Sequence, residues 1–261
     1  MAIRLETTRW LRFTHEGRSA FGMLDGEGIV EFDGEMFDSP EATGRRYELA
    51  RVKLLPPTQP KKMIGLWNNF GALGKKLELE IPPEPLYFIK TPNSLLAGGE
   101  VIRKPRFYDG RVVFEAELGI VIGRRCSGVD EAEAAACIFG YTCVNDVTAV
   151  DVLNADPSFA QWTRAKSFDT FGVLGPVVAT GIDPNTLTIR AVLDGEERQN
   201  YPASDMLIKP ARLVSAISRD MTLMPGDVIA CGTSVGAGKM KPGSTIEVAI
   251  DGIGTLTNRF E

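Results

Sequence analysis

Short apolar runs broken by Gly, Pro and Asp, just two stretches with helical spacing, and no regular alternation of helix with strand predict a β-rich α+β chain. A doubly wound parallel sheet would need that alternation. At 261 residues the chain suits one large domain with a small attachment. Its apolar fraction of 44% and charged fraction of 24% support a real core and exclude disordered, collagen-like and coiled-coil classes.

Taken in order, residues 1 to about 55 alternate apolar runs with turn signals. Trp10-Leu11-Arg12-Phe13 leads to Glu16-Gly17, Ala20 to Leu24 leads to Asp25-Gly26, and Ile29-Val30-Glu31-Phe32 follows, which predicts a small antiparallel β unit. Pro56-Pro57 and Pro60 stiffen the chain and suit a boundary, giving an N-terminal β domain over 1–58 and a main domain over 59–261. In the main domain, strands are expected over Val112 to Ile122, Tyr141 to Asn145, Leu187 to Leu193 before an Asp194-Gly195 turn, Val228 to Cys231, and Thr245 to Ile250. One helix is expected after Asp130, an N-cap with Glu133 three residues on, ending at Gly140. The other starts at Pro210, carries Leu213 and Ile217 at i, i+4 spacing, and stops before Pro225-Gly226.

No apolar run approaches the roughly 18 residues that span a bilayer, and the charged start MAIRLETTRW does not read as a signal peptide, so a cytoplasmic protein with no membrane partner is expected. The net charge is −5 and no basic stretch is interleaved with aromatics, which argues against nucleic acid as a partner. Cys126, Cys137, Cys143 and Cys231 form no CxxC pair and read as small core residues, not as a disulfide framework or zinc site. Histidine occurs once, at His15 in a turn-like segment, which excludes HExxH and multi-histidine metal sites. Chemistry is left to carboxylates, lysine, hydroxyls or a metal held by oxygen.

In Val112 to Ile122 a period of two puts Phe114, Ala116, Leu118, Ile120 and Ile122 on one face and Glu115 with Glu117 on the other. Two carboxylates about 7 Å apart on so apolar a strand either face water or need a cation. Asp146 ends the strand Gly140 to Asn145 and supplies a third carboxylate, or else caps a helix-like Val147 to Leu153. Three carboxylates without histidine fit Mg²⁺, Mn²⁺ or Ca²⁺ rather than zinc. Lys166, flanked by Trp162 and Phe168, is either a snorkelling surface residue or a cation opposite a substrate carboxylate. The glycine-rich run Cys231 to Gly238 offers bare amides to an anion or forms a structural turn, and no P-loop spacing is present.

Together these motifs resemble the fumarylacetoacetate hydrolase superfamily over about Lys62 to Glu261. The resemblance rests on Pro85-Leu86-Tyr87-Phe88-Ile89-Lys90, on Glu115-Ala116-Glu117, and on Gly140-Tyr141-Thr142 with Asn145-Asp146-Val147. Lys166-Ser167-Phe168-Asp169 with Gly175-Pro176, and Pro225-Gly226-Asp227 with Gly232-Thr233, complete it in the same order. It implies a mixed β-roll catalytic domain, a homodimer, and Mg²⁺ or Mn²⁺ held by Glu115, Glu117 and Asp146. It further implies Lys166 as the catalytic lysine beside the metal, and Thr233, Gly232 and Lys90 among the substrate contacts.

Two departures matter. Where many members carry a His-Glu pair on a lid, this chain has Trp67-Asn68-Asn69-Phe70-Gly71-Ala72-Leu73-Gly74, so Gly71 and Gly74 stand at the pair's positions. The arginine that often follows the metal aspartate is also absent, since Val150 precedes Asp151. If the segment Phe70 to Leu79 closes over the metal as a lid, its amphipathic Leu73, Leu77 and Leu79 can exclude water, yet it presents no imidazole to activate one. By resemblance, the substrate is a small 2-oxo or 2-hydroxy-enol (di)carboxylate, and the reaction is isomerisation or decarboxylation through a metal-stabilised enolate, in aromatic or oxo-acid catabolism. The alternatives are a C–C bond hydrolase of acylpyruvates, a lyase using Lys166 as a Schiff-base nucleophile, and a metal-binding member without catalysis.

Overall fold

A computed structural model describes residues 7–261. A twelve-stranded sheet runs through it in the order Glu41–Glu48, Gly28–Asp33, Arg18–Asp25, Thr8–His15, Gly172–Thr180, Ile138–Asp146, Ala116–Ile122, Val228–Ala230, Met63–Trp67, Leu86–Lys90, with Lys53–Leu55 and Leu95–Leu96 pairing off this path. The pairing is mixed: Val228–Ala230 with Met63–Trp67 and Gly172–Thr180 with Leu95–Leu96 are parallel, and the rest of the path is antiparallel. A five-stranded sheet (Glu196–Pro202, Thr188–Leu193, Thr245–Ile250, Gly254–Phe260, Val101–Ile102) packs against its middle, and the main core lies between them.

Local sequence explains the hairpins. Glu16-Gly17 and Asp194-Gly195 both take positive φ at successive residues, the left-handed pair that a tight two-residue turn needs and that Gly adopts without penalty. The helix Glu131–Cys137 starts with both bonds of a capping box, Asp130 Oδ1 accepting from the Glu133 N–H and Glu133 Oε2 from the Asp130 N–H. It ends three residues before Gly140, because Ile138 already pairs with Ile122. The helix Pro210–Asp220 buries Leu213, Val214 and Ile217, each worth about 1.5–3 kcal/mol of transfer free energy.

The N-terminal residues add a fourth strand, Glu41–Glu48, which the sequence reading lacked, and Thr8–His15 pairs with Gly172–Thr180, so one sheet passes through both parts of the chain. The proline-rich connection is clamped: Asp227 accepts from the N–H groups of Lys61, Lys62 and Met224 and pairs with the Lys62 ammonium, while the Thr58 hydroxyl donates to the Gly226 carbonyl. All four cysteines are buried and free, and His15 packs on Tyr47 in the N-terminal part. Among the described residues no helix is long and apolar enough to cross a membrane.

Two features place the site. The expected single strand from Val112 to Ile122 breaks at Glu115: Val112–Phe114 joins a small sheet with Thr148–Ala149 and Gly238–Lys239, and Ala116–Ile122 joins the large one. The break is a tertiary effect, since the Glu115 N–H donates to the Asn145 side chain and the Glu115 carbonyl accepts from Asp146. The antiparallel register Ala116↔Asn145 and Glu117↔Val144 then brings Asp146 beside both glutamates.

Candidate metal and active site

Every residue of Ala116–Ile122 is buried, because the sheet is covered on both faces. Ala116, Leu118, Ile120 and Ile122 enter the main core, whereas Val121 joins a second apolar layer with Val144, Leu174 and Val228. Glu117 shares Val121's face, so a carboxylate lies at the edge of an aliphatic layer with no exposed surface. The solvated-face alternative for Glu117 is therefore overturned. Asp146, also fully buried, is no helix cap either: Ala149 precedes the short helix Val150–Leu153 and makes no side-chain bond to it.

Glu115, Glu117 and Asp146 each present an oxygen such that all three lie within 4.8 Å of one another. Their remaining contacts fix the orientation. Glu117 Oε2 accepts from the Gly232 N–H at 2.8 Å, and Glu115 Oε1 from the Thr148 hydroxyl at 2.8 Å. The Lys166 ammonium donates to Glu115 Oε2 and Asp146 Oδ2, both at 2.7 Å, and Lys90 donates to Asp146 Oδ1 at 2.6 Å. Among the described residues Glu117 Oε1 has no partner.

The electrostatics follow from this pattern. Burial, reinforced by Asp146, pushes the Glu117 carboxyl well above its ordinary range. Burial also opposes ionisation of Asp146, but Lys166 and Lys90 outweigh it and hold that carboxyl low. Lys166, disfavoured as a cation by its own burial, is held up by Asp146 and the two glutamates. For Lys90 burial wins, and its pKa falls despite Asp146.

A buried carboxylate oxygen without a partner costs free energy that an added cation removes. The orphaned Glu117 Oε1, the three converging oxygens and the absence of any nitrogen or sulfur donor among them fit a hard divalent cation. Each ionised carboxylate keeps lone pairs beyond those its present donors use.

Lys166 is 2% exposed and sits 5.1 Å over the Phe88 ring, which rules out the snorkelling alternative. Two of its three N–H groups bond carboxylates, and no protein acceptor takes the third among the described residues. Lys90, Gly232 and Thr233, grouped with substrate contacts in the sequence, donate to the carboxylates or to the backbone between them. Lys90 is fully buried and reaches Asp146, the Val147 carbonyl and the Lys166 carbonyl, which uses all three of its protons. The Gly232 N–H goes to Glu117, and the Thr233 hydroxyl donates to the Ala116 carbonyl at 3.0 Å, between the two glutamates.

Sequence reasoning missed three supports. Gln199 accepts from the Ala116 N–H and donates to Thr233, Tyr201 donates to the Ala116 carbonyl, and Asn69 ties Cys231 to Ile208. The bonds to Ala116, Cys231 and Ile208 act across more than 80 residues of chain and the one to Thr233 across 34, where no local pattern signals them.

The lid segment forms a six-residue helix, Gly71–Lys76, whose first turn is held by Asp205 through the Ala72 N–H. Leu77 and Leu79 are exposed in this structure, at 45% and 38%. A Cβ on Gly71 would lie 3.0 Å from Asp205 Oδ1, and one on Gly74 2.9 Å from Asn68 Oδ1, so this segment is packed around having no side chain at either place.

Residues 62–261 match the family model described as fumarylacetoacetate (FAA) hydrolase C-terminal, and residues 8–57 match one described as Rv2993c-like, N-terminal. An uncharacterised Archaeoglobus fulgidus protein is 42% identical over 89% of this chain and 90% of its own length. The oxaloacetate tautomerase YisK of Bacillus subtilis is 34% identical over 82% of this chain and 75% of its own. The crystal structure of a 2-hydroxyhepta-2,4-diene-1,7-dioate isomerase from Mycobacterium marinum superposes with a TM-score of 0.89 at 36% identity, covering 97% of this chain and 98% of that one. The β-roll architecture anticipated from the sequence motifs is thus the architecture of this chain.

Proposed function

The chain belongs to the fumarylacetoacetate hydrolase family, and from that premise we propose that it is a divalent-cation-dependent tautomerase or isomerase of 2-oxo acids. The observation that carries this reading is the buried Glu115, Glu117 and Asp146 cluster with its orphaned Glu117 oxygen. These three residues would hold Mg²⁺ or Mn²⁺. Bound there, the cation supplies an electron sink for the charge that develops when a proton leaves the carbon beside a carbonyl.

The chain's own groups do the rest. Lys166 brings an ammonium with one N–H unbonded among the described residues, placing a proton and a positive charge beside the carboxylates. Lys90 and Gly232 keep Asp146 and Glu117 aimed inward, and Thr233 braces the strand between the glutamates. The lid offers glycine where hydrolytic relatives would position a base, so proton relocation is favoured over addition of water. Decarboxylation of an oxo-dicarboxylate asks for the same charge stabilisation and is the neighbouring reaction.

The test compares kcat/KM for oxaloacetate keto-enol exchange and for acylpyruvate hydrolysis, each with Mg²⁺, with Mn²⁺ and with chelator. Exchange should require the metal, and hydrolysis should trail by about 10²–10⁴, the usual contribution of general-base assistance. Hydrolysis outrunning exchange would overturn the assignment in favour of a C–C hydrolase.

A further inference from the structure

Beside Lys166 lies an aromatic recess that the carboxylate chemistry does not use. The strands Met63–Trp67 and Leu86–Lys90 pair with Trp67 opposite Leu86, Gly65 opposite Phe88 and Met63 opposite Lys90, so these six share one sheet face. Gly65 is required there: a Cβ would fall 2.4 Å from the Phe88 ring, and its absence lets the ring lie across the strand. Trp162 stacks on Phe88 at 5.2 Å between centroids and 12° between planes, and Trp67 leans on Trp162 at 5.2 Å.

The recess joins the site through two connections. Trp162 and Lys166 are four residues apart on the helix Trp162–Lys166 and share a face, and the Lys166 ammonium sits over the same Phe88 ring. A cavity of about 390 Å³ opens here, lined by Trp67, Pro85, Leu86, Tyr87, Phe88 and Trp162. None of the six carries a charge. Asn68, next to Trp67, donates to the Glu80 carbonyl and so ties the exposed Leu79 and Ile81 to the same neighbourhood.

We propose that this recess receives the part of the substrate remote from the oxo-acid head, and that it selects a planar apolar tail over a second carboxylate. The inference rests on the oxo-acid reading above and adds the substrate class. A carboxylate entering here would lose hydration and meet no charged residue in the lining, with the one nearby cation, Lys166, already bonded to Glu115 and Asp146, whereas an aryl ring would bury apolar surface against the aromatic lining. One well-buried apolar group gains roughly 10–200-fold in discrimination.

Calorimetry on the Mg²⁺-loaded protein with phenylpyruvate, pyruvate and oxaloacetate tests this, because tautomerisation consumes none of the three acids and binding is read whether or not turnover occurs. Phenylpyruvate should bind about 10–100-fold more tightly than pyruvate, and oxaloacetate no more tightly than pyruvate. Trp162→Ala should collapse the phenylpyruvate-to-pyruvate ratio. Leu86→Lys, at a half-exposed strand position that keeps the fold, should invert the preference toward oxaloacetate. Pyruvate binding without a phenyl advantage, or a ratio unmoved by both substitutions, overturns the aromatic subsite alone. Failure of all three acids to bind overturns the oxo-acid reading and the subsite with it.

Discussion

Glu31 and Glu117 are both glutamates without exposed surface, on strands of the same twelve-stranded sheet, and their surroundings differ in one respect. Glu31 is saturated: Arg18 and Arg45 reach its Oε1, and Arg18 and Tyr47 reach its Oε2. Led by Arg45, these donors hold its carboxyl down at about 2. Glu117 accepts one hydrogen bond, from the Gly232 N–H, and has one orphaned oxygen and a second carboxylate close by, and its carboxyl is driven the other way. The same buried functional group thus acts as a fastener where its charge is neutralised within the chain, and as a binding site where neutralisation is left to something that arrives.

The largest expected effect removes the difference at its source. Glu117→Gln should weaken Mg²⁺ affinity by more than about 100-fold, beyond the 10–100-fold typical of residues that only support a ligand. The metal-free protein should be as stable as the parent or more so, because a buried group with unmet charge has gone. Unchanged affinity by calorimetry would mean that the orphaned oxygen is not a ligand.

The mirror substitution should do the reverse. Glu31→Gln leaves two arginines facing a neutral amide and should cost roughly 2–3 kcal/mol, below the 3–5 kcal/mol of a fully enclosed pair because both guanidinium groups are half exposed. That corresponds to a fall in Tm of about 5–10 °C for a chain of this size, with Mg²⁺ affinity unmoved. A matched loss of metal binding would show that the two clusters are coupled through the sheet.

A third variant lies between these cases. Lys90→Met keeps the volume near Asp146 and removes the donor beneath it, so metal affinity should drop by about 10–100-fold, the range for a supporting residue. Wild-type affinity in this variant would demote Lys90 to simple packing.

The contrast between the clusters also separates what the sequence shows from what it hides. The capping box at Asp130 and Glu133, the Asp194-Gly195 turn and the strand Thr245–Ile250 were legible because their causes lie within a few residues. The three carboxylates were legible as a set through the strand period and the family motifs, although a period of two says nothing of whether a face is wet, and here the face is dry. The break at Glu115 was not readable, since Asn145 causes it from 30 residues away. Glu41–Glu48 was hidden for the opposite reason: most of its side chains are exposed, so it lacks apolar alternation, and pairing with Gly28–Asp33 alone makes it a strand. The donors around Glu31 come partly from that same strand, which is why the saturated cluster was not anticipated.

The smallest expected effect is the pH dependence that the saturated cluster contributes. Glu31 is depressed from the ordinary 4.5 to about 2, so its charge stabilises the fold fully above the unfolded value and loses that contribution as pH falls through the folded one. The stability gap between the parent and Glu31→Gln should therefore be complete at pH 6, begin to close below about 4.5, and be reduced by roughly half or more at pH 3. Urea midpoints of the two proteins at pH 6, 4 and 3 measure this directly, and taking the difference cancels the titration of every other group. A gap that stays constant down to pH 3 would mean the variant is weakened by packing around the amide and not by loss of charge. The fastener would then owe its strength to shape, and its contrast with Glu117 would no longer be one of neutralised against unneutralised charge.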